Sequence, residues 1–394
     1  MRICIINFLK LHPFIVNLCY SLLRLFLNIF GLFLPMKEKT ILFASFGGRK
    51  FDDSPKALYD EICKRKEFDD WKLIWAFVEP DKFVLERGDK IQIDTLTFFK
   101  TLLTSNVWIS NSNMDRGINL DRKGTVRIET WHGTPLKKIC GEENQNSIGG
   151  GKSYVRKHVD TKTIRCAQSE YDQEIFSRIF YASKESILLC DLPRNDLLTQ
   201  YSRQQCESIK EKLHIENKKV ILYLPTYREY LVDEHNDTYL APPIDLEKWE
   251  KKLSSQYVLL VRAHYAVTKA MNIYENQFIK DVSNYPTLTD LYAISDILIS
   301  DYSSSFIDYS ILNRPMFCFA YDLEEYEEKR GLYVDLEKTL PCKVHTNEEE
   351  LLNDIMTFDE DKCINASKEF HQKFAPFAGN ASKKVIDELL RKLS

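Results

Sequence analysis

Two histidines, two arginines and a run of serines carry the chemistry this chain could do. His132 lies in "TWHGTP", between an aromatic ring and a Gly-Thr-Pro turn, with Lys137 and Lys138 just beyond. It has neither the apolar run around it of a core histidine nor the nearby second ligand of a metal histidine. Gly133 and Thr134 let the backbone turn close to that ring. His264 lies in "VRAHY", directly after an apolar run. Two histidines from separate parts of a chain suit acid–base work, one taking a proton from an attacking hydroxyl, the other assisting a departing phosphate. Each alone also fits a structural role. Arg228 ends "VILYLPTYR" and Arg262 follows "YVLLV". A guanidinium at a strand end suits bidentate binding of a diphosphate, or else a surface ion pair. Ser300, Asp301, Ser303, Ser304 and Ser305 stand where an apolar strand gives way to the helical "SFIDYSILN". Free backbone N–H groups and the helix dipole favour an anion there, and the hydroxyls exceed what one cap needs. Asp308, one turn on, is placed to accept from ribose hydroxyls. A serine-rich N-cap without a ligand is the plainer alternative. No HxxxH or Cys/His set indicates a metal, and no GxSxG elbow indicates a serine hydrolase.

The surrounding pattern must hold these groups at strand ends. "TILFASF", "WKLIWAFV", "VWISNS", "VRIETWHGTP", "TIRCAQS" and "ESILLCD" read as strands, and "SPKALYDEICKR" and "TLTFFKTLLTS" as helices between them. Ser54 is expected to cap the first of these, with Pro55 in its first turn. A helix is expected to run to about Leu213. The alternation then restarts with "KVILYLPTYR", "YVLLVRAHY", "ISDILISDYSS" and "MFCFAYD". Strand, loop and helix in this order predict parallel α/β sheets, whose ligands lie beyond the carboxyl ends of the strands. The expected division is a leading segment at 1–38, one Rossmann-like unit at 39–195, a second at 196–378 and a closing helix at 379–394. The polar, Gly-rich stretch from Ile139 to Asp160 reads as a mobile loop, and Gly149-Gly150-Gly151 does not have phosphate-loop spacing.

With 394 residues, 44% of them hydrophobic, the chain has material for two cores. Its 54 basic and 58 acidic residues give a net charge of −4, no basis for nucleic-acid binding. The ten cysteines include no CxxC pair and read as reduced thiols. The first 36 residues are strongly apolar, but Lys10, Asn17, Ser21, Arg24 and Asn28 fall on one helical face. That pattern predicts an amphipathic helix lying on the inner membrane surface, with Lys37 and Lys39 near anionic headgroups. A helix packed on the protein's own core is the alternative.

"WHGTPLKKI", "LPRND", "LYLPTYR", "RAHY", "LTDLYAISDILISDYSSSFIDYSILNRPMFCFAYDLEEY" and "RGLYVDLE" together resemble the CDP-glycerol glycerophosphotransferases of teichoic acid synthesis, six blocks in family order between about residues 40 and 385. The resemblance implies a GT-B fold with an acceptor domain followed by a CDP-glycerol domain. It implies a peripheral enzyme on the cytoplasmic membrane face that moves glycerol phosphate from CDP-glycerol to a lipid-linked polyprenyl-diphosphate acceptor and releases CMP, with no cofactor. His132 and His264 match the family's two essential histidines, and Arg262 and Ser300–Ser305 its diphosphate and nucleotide contacts. Cys140, Tyr265 and Tyr227 depart from the usual glycine, proline and tryptophan. The family also holds capsule enzymes and users of CDP-ribitol. A GT-B glycosyltransferase using a nucleotide sugar and an inactive scaffold subunit are the rival readings.

Overall fold

The computed structural model describes residues 13–118, 120, 122–144, 162–215, 217–228, 242–263, 267, 271 and 273–394. His264, Tyr265, most of the expected Gly-rich loop and the first dozen residues, Lys10 included, lie outside these.

Two parallel sheets account for the strand pattern. The first contains β1 (Lys37–Ala44), β2 (Lys72–Phe77), β3 (Asp89–Gln92), β4 (Ser105–Ser110), β5 (Val126–Glu129), β6 (Thr163–Ala167) and β7 (Ile187–Leu189). Their order is β3-β2-β1-β4-β5-β6-β7. The second contains β8 (Lys219–Leu224), β9 (Tyr257–Val261), β10 (Ile279–Asp281), β11 (Ile297–Ser300), β12 (Met316–Phe319) and β13 (Val344–His345), in the order β10-β9-β8-β11-β12-β13. The order reverses beside β1 in one sheet and beside β8 in the other, so each opens a crevice at its strand ends. Residues 40–44 of β1 and all of β9 and β11 are buried. Continuous apolar strands of this kind need helices on both faces, and separate cores lie on either side of each sheet.

Most expected elements form where the sequence places them. One cap does not: the helix assigned to Ser54 opens at Asp53, and the Asp53 carboxylate itself accepts from the Ser54 N–H at 2.7 Å. The chain also returns on itself. The closing helix Ala381–Leu393 packs Ala381, Val385, Ile386 and Leu389 into the core of the first sheet, beside Ile62 and Val107. Asp196 fixes its start by accepting from the N–H groups of Ala381 and Ser382, both at 2.7 Å.

The leading helix spans Pro13–Phe33. Leu27 joins the core beneath it, and Arg122 donates to the carbonyls of Gly31 and Leu34, both at 2.6 Å. Arg24 and Asn28, on the polar stripe, are half-buried. Leu22, Phe26, Leu32 and Phe33 point outward, 58%, 62%, 79% and 78% exposed. The helix therefore turns the Arg24–Asn28 part of its polar stripe toward the protein, leaves Ser21 exposed and presents apolar side chains to the surroundings. Among the described residues no helix is long and apolar enough to cross a membrane.

Candidate active site

β5 ends at Glu129, and the next turn carries His132 over the carboxyl edge of the first sheet. Trp131 enters that turn with φ 55°, an uncommon conformation for a bulky residue, and its indole stacks on the imidazole at 4.1 Å. His132 Nδ1 lies 3.2 Å from the carbonyl oxygen of Asn111, at the end of β4. A carbonyl only accepts, so Nδ1 carries the proton and Nε2 keeps its lone pair. The ring is open to solvent, yet the walls around it, Phe46 among them, displace much of its water. Desolvation lowers the pKa of His132, and the Asn111 hydrogen bond and Asp53 only partly oppose it. The imidazole is thus neutral near pH 7, as a base must be.

The second unit meets this turn directly. Gly133 has φ 141°, and a β-carbon there would stand 2.2 Å from Ser304 Oγ. No other residue type fits both the dihedral and the contact. The "HGT" turn and the serine turn, far apart in sequence, are therefore packed against each other. Further along, Leu136 accepts from the Tyr333 N–H at 2.8 Å and Lys138 donates to Gly331 at 3.0 Å, so "LKKI" pairs with "RGLYV". Cys140, where glycine was expected by resemblance, has φ 58°, a conformation glycine adopts freely and cysteine only at a cost. Burial raises its thiol pKa to about 11, which leaves it a poor nucleophile.

Several residues assigned to the substrate are instead engaged by the protein. Arg228 is buried: it donates to Asp322 at 2.7 and 2.8 Å and to Asp301 at 2.9 Å, between the rings of Tyr302, Tyr321 and Tyr326. Burial opposes its charge, but the two carboxylates outweigh that and raise its pKa. A guanidinium engaged on two sides by Asp301 and Asp322 braces the serine turn. Asp301 also accepts from the N–H groups of Thr226 and Tyr302, and Ser300 Oγ donates to Leu224 at 2.7 Å. Thr134 Oγ1 lies 2.9 Å from Gln168 and 3.0 Å from Asp172. Ser303 and Ser305 bond each other at 2.7 Å. Arg262 donates to the Tyr285 carbonyl at 2.6 Å and is half-buried. Desolvation lowers its pKa, and Tyr292 and then Asp52 of the first unit act the other way.

Asp308, expected to hold ribose, is buried in a network that sequence reasoning missed. Arg194 binds it at 2.6 Å and Asp53 at 2.6 Å, and donates to the His132 carbonyl at 3.2 Å. Asn195 and Gln168 donate to the other Asp308 oxygen at 2.9 and 3.3 Å, and both also reach Asp191, at 3.2 and 2.8 Å. One cation thus ties the His132 turn, the helix that opens at Asp53 and the serine helix together. Gln168, Asp172 and Asp191 stand just beyond β6 and β7, the same strand-end position that singled out His132. Burial drives the Asp172 pKa up to about 7 and that of Asp191 to about 8. Each leaves one oxygen without a hydrogen-bond partner among the described residues, a costly state for a buried carboxylate.

Residues 26–391 match the family model described as CDP-glycerol:poly(glycerophosphate) glycerophosphotransferase. A teichoic acid poly(glycerol phosphate) polymerase of Bacillus spizizenii is 32% identical over 378 residues, covering 92% of this chain and 94% of that protein. One from Staphylococcus epidermidis is 33% identical over 91% of this chain, which spans 51% of its length. Relatives described by ribitol phosphate are 26% identical. The wall teichoic acid polymerase TagF, solved as a histidine-to-asparagine variant with CDPG, superposes with a TM-score of 0.81 at 31% identity over 91% of this chain and 90% of that one.

Proposed function

The chain belongs to the CDP-glycerol:poly(glycerophosphate) glycerophosphotransferase family, and from that premise we propose that it transfers glycerol phosphate from CDP-glycerol to a hydroxyl of a lipid-linked acceptor in teichoic acid synthesis. The observation that supports the site is the packing of Gly133 on Ser304, which sets the His132 turn of one unit beside the serine turn of the other. Two parallel α/β units facing across this junction support the GT-B reading and a division into 39–195 and 196–378. The closing helix belongs structurally with the first unit.

His132 Nε2 takes the proton from the acceptor hydroxyl as its oxygen attacks the glycerol-bearing phosphorus. The bond from that phosphorus to the bridging oxygen breaks, and CMP leaves with the electron pair. Arg262 and the N–H groups and hydroxyls of Ser303–Ser305 meet the charge that collects on the departing phosphate. His264, assigned by its motif, supplies the leaving-group proton. Arg228, Asp301 and Asp308 act through the serine turn they brace, not by touching the donor.

The outward apolar face of the leading helix supports peripheral seating on a membrane, where a lipid-linked acceptor would be met. Glycerol is favoured over ribitol by the identities of the relatives.

The test is incubation with CDP-glycerol, CDP-ribitol and UDP-sugars and a defined lipid acceptor, with mass spectrometry of the product. Glycerol phosphate addition with CMP release is expected, and His132→Ala should lower turnover by roughly 10²–10⁴-fold with folding retained. Near-normal turnover in that variant refutes the base, and nucleoside diphosphate release from a sugar donor refutes the reaction.

A further inference from the structure

A cavity lies beside the His132 turn, with Phe46 in its wall. It holds about 860 Å³ between the leading helix and the first sheet, with Tyr20, Leu23, Phe46, Phe99 and Ile118 as its apolar wall. The same cavity is lined by Arg49, Lys50 and Arg116, against one carboxylate, Asp94. Asp94 grips one side of Arg116, at 2.8 Å to Nε and 3.1 Å to Nη2. That turns Nη1 toward Gly47, where a β-carbon would meet Arg116 Nη1 at 3.0 Å and Arg49 Nη1 at 3.3 Å. Two guanidinium groups therefore converge on one point of the wall. Like charges converge at a cost, which an anion between them removes.

The backbone is shaped to allow this. Phe46, Asp94 and Arg116 all have positive φ, 47°, 62° and 59°, although none is glycine. Such strain persists where the surroundings enforce it, and it gathers at binding sites. The cavity also leads to the catalytic turn. Phe46 lies 6.2 Å from the His132 ring, and Asn111 both holds the Phe46 N–H, at 2.8 Å, and accepts from His132. At its other end the cavity opens along Tyr20 and Leu23 of the helix whose outer face is apolar.

We propose that this cavity binds the acceptor's lipid end: an isoprenoid or alkyl tail along Tyr20, Leu23 and Phe99, and a diphosphate on Arg49 and Arg116. Resting on the transferase reading, it places the acceptor hydroxyl on the His132 side of Phe46. Charge complementarity and continuity with His132 together select a phosphorylated amphiphile over a neutral lipid.

The test is direct binding, by calorimetry on the full chain, of farnesyl diphosphate, farnesol and inorganic diphosphate. Farnesyl diphosphate is expected to bind at least about tenfold more tightly than either fragment, since each supplies half of the contacts. Arg49→Ala with Arg116→Asn should weaken it on the order of 10²-fold, because charge-assisted bonds are lost. Asparagine suits the left-handed φ at position 116, and thermal melting reports the fold. Leu23→Asp should weaken farnesyl diphosphate but not inorganic diphosphate. CDP-glycerol affinity should stay within about twofold in both variants. If farnesyl diphosphate binds no better than inorganic diphosphate, or the arginine variant binds it as the parent does, the proposal is overturned. If phosphatidylglycerol vesicles displace it and the arginine variant loses those vesicles instead, the site reads a phospholipid headgroup and the proposal is again overturned. Binding without CMP release from CDP-glycerol would sink the reaction and leave the cavity; CMP release without binding would do the reverse.

Discussion

Replacing Arg194 by methionine isolates one buried charge that joins the two units. Its guanidinium lies 2.6 Å from Asp53 and 2.6 Å from Asp308, whose side chains are only 7% and 2% exposed. Methionine keeps most of the stem volume, so the loss is chiefly of charge. Removing one partner of a buried pair leaves an uncompensated ion, at about 3–5 kcal/mol. Urea unfolding at pH 7.5 should register that loss. Adding Asp308→Asn removes one stranded charge and keeps an acceptor for Asn195, so it should restore roughly half of it. The pH dependence has a defined sign. Burial alone would raise the Asp53 pKa, but Arg194 and the Ser54 N–H outweigh it and hold it below its ordinary 3.8. That contribution is complete above the unfolded pKa and disappears as pH falls through the folded one. The gap between parent and variant should therefore narrow near pH 3. A loss under about 1 kcal/mol at pH 7.5, or a double variant no more stable than Arg194→Met, would refute the reasoning.

Three further outcomes follow from the site. Gly133→Ala cannot relieve the 2.2 Å contact with Ser304 without parting the units, so turnover should fall on the order of 10²-fold while circular dichroism stays unchanged; normal turnover would disprove the tight junction. Arg228→Lys loses the fork that spans Asp322 and Asp301 and should lower stability by about 2–4 kcal/mol. A raised KM for CDP-glycerol at unchanged melting temperature would return Arg228 to the donor site. Asp172 and Asp191 release protons near pH 7 and 8 when folded but near 3.8 when unfolded, so the folded chain binds more protons between those values and stability falls as pH rises through them. Asp172→Asn with Asp191→Asn should flatten the melting temperature between pH 5 and 8, and an unaltered slope would count against the raised pKa values.

The strands were legible because parallel strands covered on both faces are apolar throughout, and "YVLLV" or "DILIS" can read no other way. β3, "DKIQ", is a largely exposed edge strand without that signature, and it passed unread. His132 and the serine turn were legible because polar groups at strand ends break an apolar text. Read alone, such a group does not say whether a ligand or the protein engages it. Arg228 and Asp308 look in sequence like Arg262 and Ser304, and only their partners, Asp301, Asp322 and Arg194, reveal them as braces. Arg194 itself gave no local signal beyond its motif, since its value lies in two carboxylates 141 and 114 residues away. The polar stripe on the leading helix was found, but the direction it faces depends on Leu27 and Arg122 anchoring that side to the body.

The return of the closing helix to the first sheet has a consequence for how the protein is made. While the ribosome works through the second unit, the first emerges with the face around Ile62 and Val107 uncovered, because Val385, Ile386 and Leu389 do not yet exist. The core of the first unit is thus completed only after the second unit has been made, and the nascent chain carries an open apolar face until Ala381–Leu393 emerges.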